Sequence, residues 1–219
     1  MTGVQTCALP IWGSGSGKSV LLRSLIGLEK PDKGSIFFEG VDIVTLNEQE
    51  LVDVRKKIAY VFQYGALFDS FTVHENLAYP LREHTKMGDD EIHEKVMATL
   101  AKLGLQDSAQ LYPSDLSGGM QRRVGVARSI IMEPEVILYD EPTTGLDPYN
   151  LKQILHIILQ LKTQGATSVL VTHDMASIFS VTDRVAFLKG GKIWALGSAE
   201  EIKNSEEPEL KGFILGETM

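Results

Sequence analysis

The segment GSGSGKS, at positions 13–19, is rich in glycine and serine and ends in lysine and serine. Small residues let successive backbone N–H groups surround phosphate oxygens, and the start of a following helix adds its dipole. In such loops the lysine bridges the β and γ phosphates and the serine coordinates Mg²⁺. The alternative is a flexible linker, but the Gly-Lys-Ser ending of the segment and the apolar run that follows it argue against this interpretation. The predicted nucleotide contacts are Gly13, Ser14, Gly15, Ser16, Gly17, Lys18, Ser19 and Val20.

Two adjacent acidic residues end an apolar, strand-like run, VILYDE at 136–141. Carboxylates at the C-terminal end of such a strand face the nucleotide crevice of an α/β sheet. We expect Asp140 to hold Mg²⁺ through water and Glu141 to polarise the attacking water. The alternative is a strand followed by a solvated acidic turn, and for this stretch alone that alternative is the simpler one.

A second glycine-rich helix start lies in LSGGMQRR, at 116–123. It has the features of another anion-binding helix terminus. Because one nucleotide does not need two such termini from one chain, a head-to-tail homodimer would use both. An ordinary helix cap before a flexible turn is the alternative. The residues predicted to close over the partner's ATP are Ser117, Gly118, Gly119, Gln121 and Asp147.

Three single residues complete the candidate site. His173 follows the run SVLVT and is placed to contact the γ-phosphate, and Gln63 follows IAYVF and is placed to sense Mg²⁺ or the attacking water. Asp147, in GLDP, either caps a turn or reaches across a dimer interface. A structural histidine and a surface glutamine are the plainer alternatives. The predicted catalytic set is therefore Glu141, His173 and Gln63, and the metal set is Ser19, Gln63 and Asp140.

The elements that must position these residues alternate between strand-like and helix-like segments, which predicts a mixed α/β domain. EVILYD and TSVLVTH are β-rich runs typical of buried parallel strands. The helix predicted between them starts with Pro148 and closes with Gly165. Thr45 and Glu48 have capping-box spacing before another helix. The stretch from about 64 to 134 is richer in helix than its flanks and is predicted to be an insertion.

The composition of the chain argues against several classes of protein. The chain has 219 residues and a net charge of −8, which opposes a broad nucleic-acid surface. It has one cysteine, so an intrachain disulfide is excluded. No apolar run approaches the length that spans a bilayer. The tail, PELKGFILGETM, is predicted to be a short helix that docks on a partner or on the core.

Taken together and in this order, the motifs resemble the ATP-binding subunit of ABC transporters. The likeness covers nearly the whole chain after residue 12, and the signature LSGGMQ is its most specific part. It implies a P-loop NTPase with a RecA-like core and an inserted ABC α-helical subdomain. It also implies an ATPase that uses ATP and Mg²⁺, forms a homodimer, and binds a transmembrane permease at the cytoplasmic face of the inner membrane.

The run GALF…ENLAYPLREHT, just after Gln63, resembles the ATPase of Mla-type, Mce-associated lipid transporters. That resemblance implies phospholipid transport between inner and outer membranes and an Mce-type lipid-binding partner. Amino-acid importer ATPases resemble the rest of the chain nearly as well, and a generic subdomain surface is a further alternative. An ABC ATPase that acts on nucleic acid is disfavoured, because the chain has one domain, no long arm and an acidic balance.

The first twelve residues fit the family poorly. Trp12 stands where the loop of the family has glycine, and Pro10 cannot donate to a central ladder. The run TGVQTCALPI resembles the translation of a sequencing-adapter oligonucleotide. We therefore expect residues 1–12 to be non-native and 13–219 to form the ABC domain. N-terminal strands should be missing, including the one beside the loop, with an unpaired sheet edge and weak ATP binding. The alternative is a degenerate loop in a regulatory subunit.

Overall fold

The computed structural model describes residues 6–9 and 17–216. Its strands are β1 (Thr6–Leu9), β2 (Phe37–Phe38), β3 (Val41–Asp42), β4 (Ile58–Val61), β5 (Val136–Asp140), β6 (Thr167–Val171), β7 (Arg184–Lys189) and β8 (Lys192–Ser198). Its α-helices are α1 (Lys18–Ser24), α2 (Glu48–Lys57), α3 (Val73–His84), α4 (Asp89–Lys102), α5 (Gly118–Ile130), α6 (Pro148–Thr163), α7 (Met175–Val181), α8 (Ala199–Lys203) and α9 (Pro208–Leu215). None of these helices is long and apolar enough to cross a membrane.

Six strands form one sheet in the order β4-β5-β6-β1-β7-β8, and β2 pairs with β3 in a separate hairpin. Within the six-stranded sheet, β4, β5, β6, β1 and β7 are parallel to one another, whereas β8 runs antiparallel to β7. Asp140 pairs with Val171 at the carboxyl ends of β5 and β6. The residues that follow these two strands therefore emerge at the same edge of the sheet, as predicted for a parallel α/β core.

The strand next to the phosphate loop is present, so the expectation that it is missing was wrong. β1 lies between β6 and β7, with Thr6 opposite Ser168 and Ala8 opposite Val185. Asp183 holds the first residue of β1, because the Asp183 carboxylate accepts a hydrogen bond from the Thr6 N–H at 2.8 Å. Pro10, which was predicted to be unable to donate to this ladder, lies outside the described residues. The predicted unpaired edge at this position is likewise absent, because both sides of β1 are paired.

Three helices, α3 to α5, lie in the stretch predicted to be helix-rich. The predicted apolar face of α4 is buried, with Ile92, Val96 and Leu100 almost wholly inaccessible. These side chains share one core with residues of α3 and α5 and with one face of β5. The burial of one helical stripe explains why the period of 3.6 residues is visible in the sequence.

The predicted capping box was displaced by two residues. The Thr45 hydroxyl instead donates to the Asp42 carbonyl at 2.7 Å in a short 3₁₀ turn. The box before α2 is formed by Asn47 and Glu50, whose side chains each bond the other's backbone N–H. Asn47 is itself a strong helix-capping residue, so both spacings were compatible with the sequence.

The C-terminal helix α9 packs on the core of its own chain, which is one of the two docking modes predicted for the tail. Leu210 is buried among side chains of β7 and α8. Phe213 meets Phe187 edge-on, with ring centroids 5.4 Å apart. Such edge-to-face packing stabilises aromatic pairs beyond the effect of burial alone.

Candidate active site

Helix α1 begins at the carboxyl edge of the sheet, directly after the predicted phosphate loop. Gly17 precedes it with φ of 87°, a conformation that side chains disfavour. Leu22 of α1 is buried against Tyr60, Leu138 and Val171, which fixes the helix on the sheet. Lys18 and Ser19 therefore start the helix at the site, with Val20 exposed beside them. The predicted contacts Gly13, Ser14, Gly15 and Ser16 lie outside the described residues.

Glu141, immediately after β5, contacts two of the other predicted site residues, Lys18 and His173. Its carboxylate lies 3.0 Å from the Lys18 Nζ and 2.9 Å from the His173 Nδ1. The Thr144 hydroxyl donates to it at 2.7 Å. The residue is only 6% exposed, so the carboxylate interacts with three polar groups in a largely desolvated place. Two of the three partners, Lys18 and His173, were predicted from the sequence.

The surroundings favour the ionised form of Glu141. Burial by itself raises the pKa of this carboxyl, because it disfavours the charge. The hydrogen bonds from Thr144, Lys18 and His173 outweigh that effect and bring the pKa below its ordinary value. The carboxylate is therefore ionised near neutral pH and able to accept hydrogen bonds.

The main chain of Glu141 is unusual too. Its φ is +50°, in the left-handed region that non-glycine residues rarely occupy. A residue in this region is strained by about 1–3 kcal/mol and persists only where its surroundings hold it. Its N–H donates to the Val171 carbonyl of β6 at 2.9 Å.

Asp140, the neighbouring acid, is buried and accepts a hydrogen bond from the Tyr60 hydroxyl at 2.7 Å. Burial and the negative charge of Asp140 raise the pKa of Tyr60, so the phenol stays protonated and continues to donate. This bond uses one carboxylate oxygen. The carboxylate of Asp140 and the hydroxyl of Ser19 are hard oxygen donors of the kind that Mg²⁺ prefers, so these residues fit the predicted ion.

The second glycine-rich helix start is also formed. Ser117 caps α5 by accepting from the Met120 N–H at 3.3 Å, and Gly118 beside it is exposed. A Cβ on Gly119 would collide with the side chain of Asn150, so this glycine permits close packing. Asp147 caps α6 and bonds the Asn150 side chain, which joins the predicted residue to the α5 terminus.

Two predicted residues are placed differently. The Gln121 amide donates to the Pro113 carbonyl at 2.7 Å and thus faces its own chain. Gln63 lies half-buried in the turn two residues after β4. Among the residues that the structure describes, no hydrogen bond joins Gln63 to Glu141. The roles of both residues stay predictions.

Three residues of the site were not predicted. Tyr60 bonds Asp140 across 80 positions, so no local pattern indicates it. Asn150 fills the space left by Gly119, which is again a tertiary contact. Thr144 had a usable signal, because a hydroxyl three residues after a turn-forming glutamate is positioned to bond it.

Comparison with known proteins agrees with this geometry. The family model described as ABC transporter matches residues 10–144, more than half of the chain. The chain belongs to the ABC transporter family. This confirms the resemblance drawn from the motifs.

Several ABC proteins with curated descriptions resemble the chain along most of its length. The intermembrane phospholipid transport system ATP-binding protein MlaF of Escherichia coli (strain K12) is 41% identical over 93% of this chain and 76% of its own length. MlaF of Haemophilus influenzae is 39% identical over 94% of this chain and 78% of its own length. The probable ribonucleotide transport ATP-binding protein mkl of Mycobacterium tuberculosis (strain H37Rv) is 40% identical over 93% of this chain. The chain spans only 57% of the length of that mycobacterial relative.

Solved ABC structures share the fold. A dimeric ATP-binding cassette in a post-hydrolysis state, bound to ADP and Pi, has a TM-score of 0.82 and 31% identity, covering 91% of this chain and 87% of its own. The cbiO1 protein from Clostridium perfringens, part of the ABC transporter complex cbiONQ, has a TM-score of 0.82 and 29% identity, covering 95% of this chain and 82% of its own. The predicted α/β nucleotide-binding fold is thereby confirmed.

Proposed function

We propose that the chain is the ATP-binding and ATP-hydrolysing subunit of an ABC transporter that moves phospholipid between inner and outer membranes. One observation carries the ATPase assignment: Lys18, at the start of α1, and His173 both contact the carboxylate of the buried Glu141. Family membership makes ATP the nucleotide. The cargo rests on the likeness to MlaF, of which the chain covers 76%.

In this proposal ATP places its phosphates at the start of α1, where backbone N–H groups and Lys18 neutralise their charge. Ser19 and Asp140 would hold Mg²⁺, which supplies further charge neutralisation when it is bound. The Lys18 ammonium then turns from Glu141 to the phosphates. Glu141, still bonded by Thr144, gains an oxygen free to face water.

Hydrolysis follows from these positions. The water oxygen attacks the γ-phosphorus, the bond to the bridging oxygen of ADP breaks, and Glu141 accepts the water proton. His173 reaches the same carboxylate from β6 and is 61% exposed in its side chain, so it can reorient toward the γ-phosphate. The protein forms no covalent bond to the phosphate in this reaction. It positions the reacting groups and neutralises the charge of the phosphates.

A second copy of the chain completes the site. Ser117 and Gly118 are exposed at the start of α5, and among the described residues no hydrogen bond joins either of them to Lys18, Glu141 or His173. The head-to-tail dimer places this terminus over the partner's ATP, so that two nucleotides lie between two chains. Asp147 lies beside it and contributes to the same interface.

The permease is proposed to dock in a groove between α2, β4 and α3. This cavity of about 340 Å³ has mainly apolar walls, including Val52, Phe62 and Pro80. Basic side chains, including Lys56 and His84, stand at its margin. An amphipathic helix with an acidic residue complements such a groove. The chain then lies at the cytoplasmic face of the membrane, and an Mce-type protein is the further partner of a phospholipid system.

The decisive experiment compares the chain with Glu141→Gln. We expect the variant to bind ATP but to hydrolyse it on the order of 10²- to 10⁴-fold more slowly, the usual effect of removing a general base. Size-exclusion chromatography with Mg-ATP should then show an accumulated dimer. Glu135→Gln, which changes an exposed acid that pairs with Lys57, is the matched control and should behave as the parent. Hydrolysis at the parent rate by Glu141→Gln would remove the assignment.

The cargo needs its own test. The transporter is isolated through a tagged copy of this chain, and its ATPase activity is measured in vesicles of phosphatidylethanolamine and phosphatidylglycerol and again with amino acids added. Phospholipid transfer that requires ATP supports the proposal. Stimulation by amino acids without lipid transfer would favour the importer alternative instead.

A further inference from the structure

Helix α5 sends a buried arginine to the loop that carries Glu141. Arg122 is only 6% exposed. Its Nη1 donates to the carbonyls of Glu141 and Pro142, each at 3.1 Å, and its Nη2 donates to the Thr144 carbonyl at 3.2 Å. One guanidinium thus binds three carbonyls within four consecutive residues.

The charge of Arg122 has no carboxylate partner among the residues that the structure describes. Burying a guanidinium is unfavourable unless its donors are satisfied, and here main-chain carbonyls do that. Neutral donors would have held a loop at a smaller desolvation penalty. The ring of Tyr64, 5.7 Å from the guanidinium carbon, covers part of it by a cation–π contact.

The carbonyls that Arg122 binds are those that decide where the Glu141 carboxylate points. Glu141 has φ of +50°, and a conformation of this kind persists only when its surroundings hold it. Its N–H is bound by β6, so Arg122 holds the other side of the same residue. Arg122 also fixes Thr144, whose hydroxyl donates to the carboxylate.

A second arginine of α5 makes the same kind of contact elsewhere. Arg128 donates to the carbonyl of Ala66 at 2.7 Å, and Ala66 also has a positive φ, of 49°. Ala66 lies five residues after the end of β4, whereas Glu141 directly follows β5, and each guanidinium binds the carbonyl of a left-handed residue beyond a parallel strand. The repeated arrangement indicates that α5 restrains the loops at this edge of the sheet.

We propose that Arg122 is a positioning residue for Glu141, which it holds in its strained main-chain conformation so that the carboxylate faces the attacking water. The inference rests on the proposed ATPase function. It assigns to Arg122 no contact with ATP. Helix α5 carries most of the signature LSGGMQ. Through Arg122, this helix affects the hydrolysis rate in its own chain as well as in the partner.

Three variants of the full chain test this: Arg122→Ala, Arg122→Lys and Asn76→Ala. Asn76 is a matched control, because its buried amide also donates to three carbonyls, those of Phe68, Phe71 and Thr72. Rates are measured over a range of Mg-ATP concentrations, and unfolding temperatures are recorded. Hydrogen–deuterium exchange is followed in the peptide covering 141–147.

We expect kcat of Arg122→Ala to fall on the order of 10²-fold, as displacement of a reacting group by about 1 Å can cause, with KM for ATP within about twofold of the parent. Exchange should rise in 141–147. Arg122→Lys, whose single ammonium cannot span the three carbonyls, should retain an intermediate kcat. Asn76→Ala should lower the unfolding temperature and leave kcat near the parent value.

Parent-like kcat in Arg122→Ala, an equal loss in Asn76→Ala, or a change in KM alone would overturn the proposal. If the parent chain hydrolyses no ATP, the proposed function fails, and exchange decides the positioning role separately. Unchanged exchange in 141–147 then overturns it, and increased exchange there supports it.

Discussion

Two helices of the molecule begin at glycine-rich segments, and their N-termini differ in what surrounds them. At α1, Lys18 pairs with Glu141, which is in turn bonded to Thr144 and His173 of the same chain. At α5, Ser117 caps its own helix and Gly118 stays exposed. One terminus is surrounded by its own reaction partners, whereas the other lacks them. The difference agrees with the proposed function, in which α1 binds the nucleotide of its own chain and the start of α5 faces the nucleotide of a partner chain.

The largest effect should come from the α1 terminus. Lys18→Ala removes the ammonium proposed to bind the phosphates, and a charge-assisted hydrogen bond contributes about 1.5–3 kcal/mol. We expect ATP affinity to fall by about 10- to 100-fold, measured by isothermal titration with Mg-ATP. Lys95→Ala is the control, because it breaks a lysine–glutamate pair with Glu133, 2.9 Å apart, in the helical stretch and not at the site. Parent-like binding by Lys18→Ala would show that α1 does not anchor the nucleotide.

A smaller effect, of a different kind, should come from the α5 terminus. In Gly119→Ala the new Cβ would collide with Asn150, and overpacking of this kind lowers the free energy of unfolding by about 1–3 kcal/mol. We expect ATP binding by α1 to persist while the ATP-dependent dimer is lost in size-exclusion chromatography. The double variant with Asn150→Ala should recover part of the stability. Equal losses in single and double variants would mean that Asn150 is not the obstacle.

The smallest effect concerns pH. Because the folded protein lowers the pKa of Glu141 from its ordinary 4.5, ionisation of this group stabilises the fold. That contribution is fully present above pH 4.5 and is lost as the pH falls through the lower folded value. The stability of the chain relative to Glu141→Gln, measured by urea unfolding, should therefore decline below pH 4.5. A constant difference throughout would show that the three hydrogen bonds do not favour the charge.

Much of the fold was predictable because its signals are local. The β-rich runs of β5 and β6 stand between turn residues, and the apolar stripe of α4 recurs with the helical period. Glu141 and His173 were predictable because each follows a recognisable β-rich run that ends at one edge of a parallel sheet, and Lys18 because it ends a glycine-rich loop before an apolar helix.

The remainder depended on distant contacts. β1 is a four-residue strand of unremarkable composition, and its neighbours β6 and β7 come more than 150 residues later. Tyr60 bonds Asp140 and Arg122 bonds the carbonyl of Glu141, and the spacing of these residues in the sequence indicates neither contact. The misplaced capping box had two chemically acceptable positions, Thr45 with Glu48 and Asn47 with Glu50, and the structure forms the second.

The position of β1 also sets an order of events during folding. Its first residue bonds Asp183, which is 177 positions further along the chain. Contacts of such long range form slowly, because closing the intervening loop is entropically unfavourable. On the ribosome, the N-terminal segment must wait until residues 167–185 have been synthesised, at about 5–20 residues per second. β1 is therefore among the last of the described strands to pair, and the gap between β6 and β7 stays open until it inserts.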